Sequence, residues 1–338
     1  MSPKGFLLTP GKLREYVTAR GLVRDGTGIS IRELGGGVSN LVFLVEGPKF
    51  RWVAKQSLEK LRVKDDWRSD RDRIYREAEA IQSLAPVVED SALPKVICVD
   101  RENYFFIMTA APAGSTVWKE SLLAGTVDAV VAEAAGKLLA RIIKASQADP
   151  VFQKKFADRT AFDQLRIDPY YRTVATRQPE VRGVIQKLIL DSLNLRTSLV
   201  HGDYSPKNML VRDRNIFLID FEVIHWGDPA FDAGFLLNHL FLKAFHQPRL
   251  TRYYLDAARA FWRALVEGIG TSGDFESMTV RHLGALMLAR IDGKSPVEYI
   301  QDETTKDRAR SVAKQILLEQ PKTFDEILAV VERKLRNA

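Results

Sequence analysis

The spacing of apolar residues changes about one third of the way along the chain. Before residue 110 the apolar runs are short and strand-like; after residue 114 they recur every three to four residues, as on helices. Thr9-Pro10 puts an N-cap residue ahead of a proline at the first helical position, which predicts a helix to about residue 20. Residues 29–34, 41–45 and 50–56 read as strands, the first two joined by Gly35-Gly36-Gly37-Val38-Ser39-Asn40. A charged stretch from Arg68 leads into a helix to residue 84, with Ile74, Ala78 and Ile81 at helical spacing. Residues 96–99 and 104–108 read as an antiparallel pair turning over 100–103. Helices are then expected over 127–145, 180–194, 228–245, 252–267, 275–291, 305–318 and 324–336. One short β signal interrupts them, 209–211 and 216–219 around a polar turn. The pattern predicts an α+β protein with a β-sheet lobe over 1–111 and a mostly helical lobe over 112–338.

Composition removes several classes of protein. A length of 338 residues allows two domains with cores of their own, and 46% hydrophobic with 28% charged residues is ordinary for a soluble protein. The most apolar helical stretch, 128–143, is broken by Glu133, Lys137 and Arg141, so no membrane partner is expected. The first residues lack an apolar leader segment, and Cys98, the only cysteine, cannot form an intrachain disulfide. A cytoplasmic protein is therefore expected. The net charge of +7 favours anionic partners, but the basic residues are dispersed among acids. A polyphosphate nucleotide plus a small substrate accounts for that surplus as well as nucleic acid does. Charge alone does not decide, and no oligomeric state follows from it.

The chemistry concentrates in Leu199-Val200-His201-Gly202-Asp203-Tyr204-Ser205-Pro206-Lys207-Asn208 and, after the β signal, Ile219-Asp220-Phe221-Glu222. Phosphoryl transfer needs positioning and neutralisation of negative charge more than covalent help. One carboxylate must orient a hydroxyl and take its proton, and Asp203 is the candidate catalytic residue. Asn208 and Asp220 offer the hard oxygens that magnesium prefers. An intervening hairpin would bring them to the same end of two strands.

This set resembles the catalytic core of aminoglycoside phosphotransferases, choline kinases and related protein-kinase-like enzymes. The following Asp228-Pro229-Ala230-Phe231-Asp232 strengthens the likeness. The resemblance implies a bilobal protein-kinase-like fold that uses ATP and Mg2+ to phosphorylate a small hydroxylated substrate, with no nucleic-acid partner. It also implies that 1–111 binds nucleotide, while 112–338 carries the catalytic loop and the acceptor site. In such enzymes Gly35, Gly36 and Gly37 would lie over the phosphates. Lys55 would hold the α- and β-phosphates, oriented by Glu77; Glu79, two residues on, faces another side of the helix. Met108 and Ala110, in the connector that follows, would lend backbone groups to adenine. His201 and Asp232 would brace the catalytic loop.

Asp220-Phe221-Glu222 resembles the D-x-E motif of methylthioribose and choline kinases, which makes Glu222 an auxiliary metal ligand. The segment from Val53 to Leu58, with Arg62-Val63, Trp67 and Arg73 beyond it, is similar to methylthioribose kinases, whereas Asn208 departs from them. Arg290, on a late helix, falls where those kinases place an arginine that holds the sugar; otherwise it is a cation stabilising a helix C-terminus. His225, Trp226, His239 and His246 are readable as acceptor-pocket residues or as ordinary packing. The acceptor class stays open among sugar-like metabolites, amino alcohols and aminoglycosides. A catalytically silent nucleotide-binding scaffold is the competing reading. A protein kinase is disfavoured, because Asp228-Pro229 follows Glu222 too closely for a long activation loop.

Overall fold

A computed structural model describes residues 6–24, 28–35, 39–62, 68–88, 91–270 and 273–336. Contacts divide the chain between Ala113 and Gly114.

The first unit starts from a capped helix. Thr9 is extended and its Oγ1 accepts from Lys12 N, while Pro10 opens α1 (Pro10–Ala19). α1 buries Leu13 and Val17 against Phe43, Val45, Phe105 and Ile107. Those residues belong to a five-stranded antiparallel sheet in the order β1-β2-β3-β5-β4. The strands are β1 (Ser30–Glu33), β2 (Asn40–Gly47), β3 (Phe50–Ser57), β4 (Val96–Asp100) and β5 (Phe105–Thr109). β3 is central, so Lys55 lies opposite Val42 on one side and Phe106 on the other. α2 (Arg73–Leu84) buries Ile74, Glu77, Ala78, Ile81 and Leu84. Arg73, at its start, donates to the carbonyls of Ser39 at 2.7 Å, Leu58 at 2.9 Å and Asp70 at 2.7 Å. That one guanidinium ties the beginning of β2 to the end of β3 and the base of α2.

In the second unit, β6 (Thr116–Val117) joins a three-stranded sheet with β8 (Met209–Arg212) and β9 (Asn215–Leu218), in the order β6-β8-β9. β7 (Ser198–Val200) pairs with β10 (His225–Gly227). The helices are α3 (Trp118–Leu123), α4 (Ala129–Ala148), α5 (Pro150–Lys155), α6 (Thr160–Phe162), a π-helix over Asp163–Arg172, α7 (Thr173–Arg177), α8 (Arg182–Asn194), α9 (Ala230–His246), α10 (Thr251–Ile269), α11 (Gly273–Asp292), α12 (Glu303–Glu319) and α13 (Phe324–Arg336). Every long helix expected from periodicity forms, and the α+β class holds. The expected hairpin forms as β8 and β9, whereas β6, β7, β10 and the helical run over 160–177 were not expected.

Two features fix this unit. α9 is buried along its whole length from Ala230 to Phe245. Behind it, Tyr171 Oη lies 2.6 Å from His282 Nδ1, and His282 Nε2 lies 2.9 Å from Asp228 Oδ2, a buried polar line tying α11 to the start of α9.

α4 and α10 approach closely because small residues face each other. A Cβ on Gly136 would stand 2.4 Å from the Phe261 carbonyl oxygen, and one on Gly268 would stand 2.4 Å from Ala140 Cβ. Gly136→Ala therefore opposes a helix-propensity gain of about 1 kcal/mol to overpacking against backbone, typically about 1–3 kcal/mol. A net loss in denaturant-melt stability is expected. A stability gain would show that the two helices separate easily.

Candidate active site

The first unit holds a buried ion pair. Lys55 Nζ lies 2.6 Å from Glu77 Oε2, and both side chains are almost wholly buried. β3 aims the lysine and α2 the glutamate, while Glu79 is exposed on another face. Losing one partner of such a pair is costly, because it strands a charge in a dry place. Gly35 is described and has open space where a side chain would be, whereas Gly36 and Gly37 lie outside the described residues, as do Val63 and Trp67. Met108, buried in β5, pairs with Val53 and Val96. Ala110 N donates to Arg51 O at 2.9 Å, so its amide is already engaged.

The candidate catalytic segment lies in the second unit, between β7 and β8. Gly202 has φ 76°, and a Cβ there would meet Val223 Cγ1 at 2.7 Å, so this tight bend excludes side chains. Asp232, in the first turn of α9, accepts from His201 N at 2.6 Å and Gly202 N at 2.9 Å. His201 Nδ1 accepts from Asp203 N at 3.2 Å, which puts the ring proton on Nε2, 3.1 Å from Ile219 O. Burial pushes this imidazole down to about 4, so it serves as a neutral brace. Tyr204 Oη anchors the segment to Ala135 O at 2.7 Å.

Asp203 itself is buried and doubly paired. Arg166 Nη2 lies 3.0 Å from Oδ2 and Lys207 Nζ 2.8 Å from the same atom. Burial alone would raise this carboxyl, but the two cations outweigh it and hold Asp203 well below the usual carboxylate range. Arg166 comes from the π-helix, and its Nε also donates to Gly202 O at 2.6 Å.

Asn208 donates through Nδ2 to Asp203 O at 2.9 Å, which turns its Oδ1 away from that carbonyl. Its own carbonyl accepts from Ile219 N at 3.0 Å, bringing Asn208 and the residue before Asp220 to the same end of the β8–β9 hairpin. Asp220 has φ 71°, a left-handed backbone that costs a residue with a Cβ about 1–3 kcal/mol. Glu222 is buried two residues on. These donors are all oxygen, a set that fits magnesium, which binds through one or two carboxylates together with phosphates and water. Among the described residues, no group of three or more His, Cys, Asp or Glu side chains forms a dedicated cage.

Arg290 sits in the last turn of α11. Its Nη1 donates to the carbonyl and, at 2.9 Å, the Oγ of Ser295 beyond the helix, and lies 3.3 Å from Tyr170 Oη. His225 is a packing residue: it stacks on Phe162 at 4.0 Å, with Nδ1 2.9 Å from Val223 O. Trp226 is likewise engaged, its Nε1 donating to Arg196 O at 3.0 Å. His239 is buried in α9, and the His246 ring lies 5.2 Å from that of Tyr299. Arg166 and Lys207 were not singled out from the sequence, though Lys207 stands inside the motif.

A sheet-bearing unit with a buried Lys–Glu pair, joined in one chain to a helical unit with an Asp–Asn–Asp set, is the protein-kinase-like class of phosphotransferase. Residues 30–265 match the phosphotransferase enzyme family, and the chain belongs to that family. It is 25% identical over 247 residues to methylthioribose kinase 2 of Oryza sativa subsp. japonica, a match covering 65% of this chain and 58% of the rice protein. The chain thus spans less than two thirds of that relative. Its fold is similar to a choline/ethanolamine kinase family protein from Mesorhizobium loti (TM-score 0.54, 18% identity, 96% of this chain and 99% of the other). It is also similar to the amicoumacin kinase hAmiN in complex with AMP-PNP, Ca2+ and Ami (TM-score 0.59, 12% identity, 95% and 100%).

Proposed function

We propose that the protein transfers the γ-phosphoryl group of ATP to a hydroxyl of a small molecule, releasing ADP and a proton. The observation that carries this reading is Asp203, a buried carboxylate kept ionised by Arg166 and Lys207 and bonded through its carbonyl to Asn208. A carboxylate this acidic is a weak base in isolation. Its main contribution is to orient the acceptor O–H, whose proton passes to it as the new P–O bond forms and the hydroxyl becomes acidic. That sequence suits a loose transition state in which positioning dominates.

Asn208 Oδ1 and Asp220, with Glu222 as auxiliary, would hold magnesium. When bound, magnesium neutralises phosphate charge. Lys55, held by Glu77, would position the α- and β-phosphates. With its amide engaged, Ala110 would meet adenine through its carbonyl, beside Met108, and Gly35 to Gly37 would lie over the phosphates. Similarity to a methylthioribose kinase favours a sugar-like acceptor, with Arg290 as a candidate contact.

ADP release measured with and without a panel of hydroxyl compounds tests the reading. Acceptor-dependent release is expected. Intact nucleotide binding with no release across the panel would favour a silent scaffold.

Lys55→Ala and Glu77→Ala are each expected to depress kcat/KM for ATP through one shared interaction. The losses should then be non-additive in a double-mutant cycle, with a coupling of about 0.5–3 kcal/mol. Fully additive losses would separate Glu77 from the lysine's function.

A further inference from the structure

Around Arg290, the candidate acceptor contact, further charged groups without a role in the phosphoryl transfer itself gather where α9, α11 and the segment after α11 meet. Lys243, on α9, is fully buried. Its Nζ meets the His239 carbonyl at 3.3 Å and lies 5.0 Å from the centre of the Tyr299 ring. Among the described residues, no carboxylate stands within ion-pair distance of Lys243 or of Arg290. Glu298, the acid that acts on Lys243 through space, is exposed and already bonded to Lys119. Arg290 Nε and the Tyr299 hydroxyl are buried without a hydrogen-bond partner.

This arrangement is unusual on physical grounds. Lysine is almost never fully buried unless paired, and a buried donor left unmet carries its whole desolvation cost. Burial, with Lys119 and Arg290 nearby, pushes Lys243 down to about 7. Burial, again with Lys243 and Arg290, holds His239 well below the usual imidazole range. Every group here disfavours a further cation and is relieved by an anion.

The cluster also connects to the reacting centre. Arg290 Nη1 is 3.3 Å from Tyr170 Oη, the Tyr170 ring centre is 5.6 Å from Arg166 Cζ, and Arg166 is paired with Asp203. We propose that Arg290, Tyr299 and Lys243 seat an anionic group of the acceptor, a carboxylate or a phosphate ester, while another of its hydroxyls meets Asp203. Arg290 Nε and the Tyr299 hydroxyl supply the direct bonds, and Lys243 is the countercharge behind them. Cationic acceptors such as amino alcohols and aminoglycosides are disfavoured at such a seat. The inference rests on the phosphotransfer reading only for the hydroxyl that reacts.

The test uses acceptor pairs that differ in the anionic group: D-gluconate against D-glucitol, D-glycerate against glycerol, and D-ribose 5-phosphate against D-ribose, with choline as the cationic control. ADP release is measured with each compound, and thermal stabilisation is measured with each in the absence of ATP. In at least one pair the anionic member is expected to show a KM about tenfold or more lower. The carboxylate and phosphate pairs report which anion is preferred. Arg290→Ala and Lys243→Met should each erase the preference by raising acceptor KM, with KM for ATP unchanged. Lys243→Met removes a buried charge, so it should melt no lower than the parent protein, and Lys243→Gln provides a second variant of similar size. ADP release with equal or better neutral acceptors, or a preference that survives both substitutions, overturns the anion seat while leaving phosphotransfer standing. Anion-dependent stabilisation without any ADP release supports the seat and overturns phosphotransfer. The absence of any anion-dependent shift overturns the seat.

Discussion

Asp203→Asn is expected to lower kcat by about 10²–10⁴-fold, the range for loss of a positioned proton acceptor. The amide keeps the shape of the carboxylate but neither takes the proton nor neutralises Arg166 and Lys207. Its cost is therefore twofold: the acceptor hydroxyl is no longer oriented, and the buried Arg166 loses its charge partner while the half-exposed Lys207 stays nearby. Some stability should be lost with activity, because Arg166 is buried and has Asp203 as its acid partner. ATP affinity should change far less than turnover. The decisive measurement is single-turnover phosphoryl transfer on protein whose circular dichroism and ATP binding are intact. Near-normal turnover in that sample would remove Asp203 from the chemistry.

Asp220→Asn is expected to move the magnesium dependence of ATP binding by more than about tenfold, since even residues that only support a metal ligand typically change affinity 10–100-fold. Asparagine is the informative substitution because it tolerates the left-handed backbone at φ 71°, where alanine would add strain of its own. Glu222→Gln should have a smaller effect. Its side chain is two residues further on, and the carbonyl bond from Ile219 to Asn208 aligns Asp220, not Glu222, with the hairpin end. Magnesium titrations of both variants decide the order. If Asp220→Asn titrates like the parent protein, the hairpin does not hold the metal.

What the sequence disclosed and what it concealed differ by the range of the interactions involved. Long amphipathic helices announce themselves through local period, and the HGD segment with Asn208 carries its spacing within a few residues. The strands at 116–117, 198–200 and 225–227 exist only through pairing with distant partners, so local propensity could not reveal them. Arg166 was hidden for a related reason. It lies in a stretch containing Pro169, which a 3.6-residue reading treats as a break, and the chain continues there as a π-helix. Its partner, Asp203, is 37 positions away by the numbering of the pair. Lys243 gave no signal, because a lysine in an apolar helix reads as a solvated edge until burial is known. Helical spacing separated Glu77 from Glu79 without choosing between them; the family resemblance pointed to Glu77, and it is Glu77 that pairs with Lys55.

The wholly buried α9 has a consequence for how activity is lost. Asp232, in its first turn, holds the amides of His201 and Gly202 on either side of the bend that presents Asp203. A helix with no solvent-facing side frays little, and its amides exchange with deuterium only through large openings of the surrounding unit. The bend that carries Asp203 is thus fastened to a helix buried from Ala230 to Phe245. Heating or denaturant then has no mild route to inactivation in this unit: the bend holds its shape until α9 gives way, and thermal inactivation coincides with loss of the helical core.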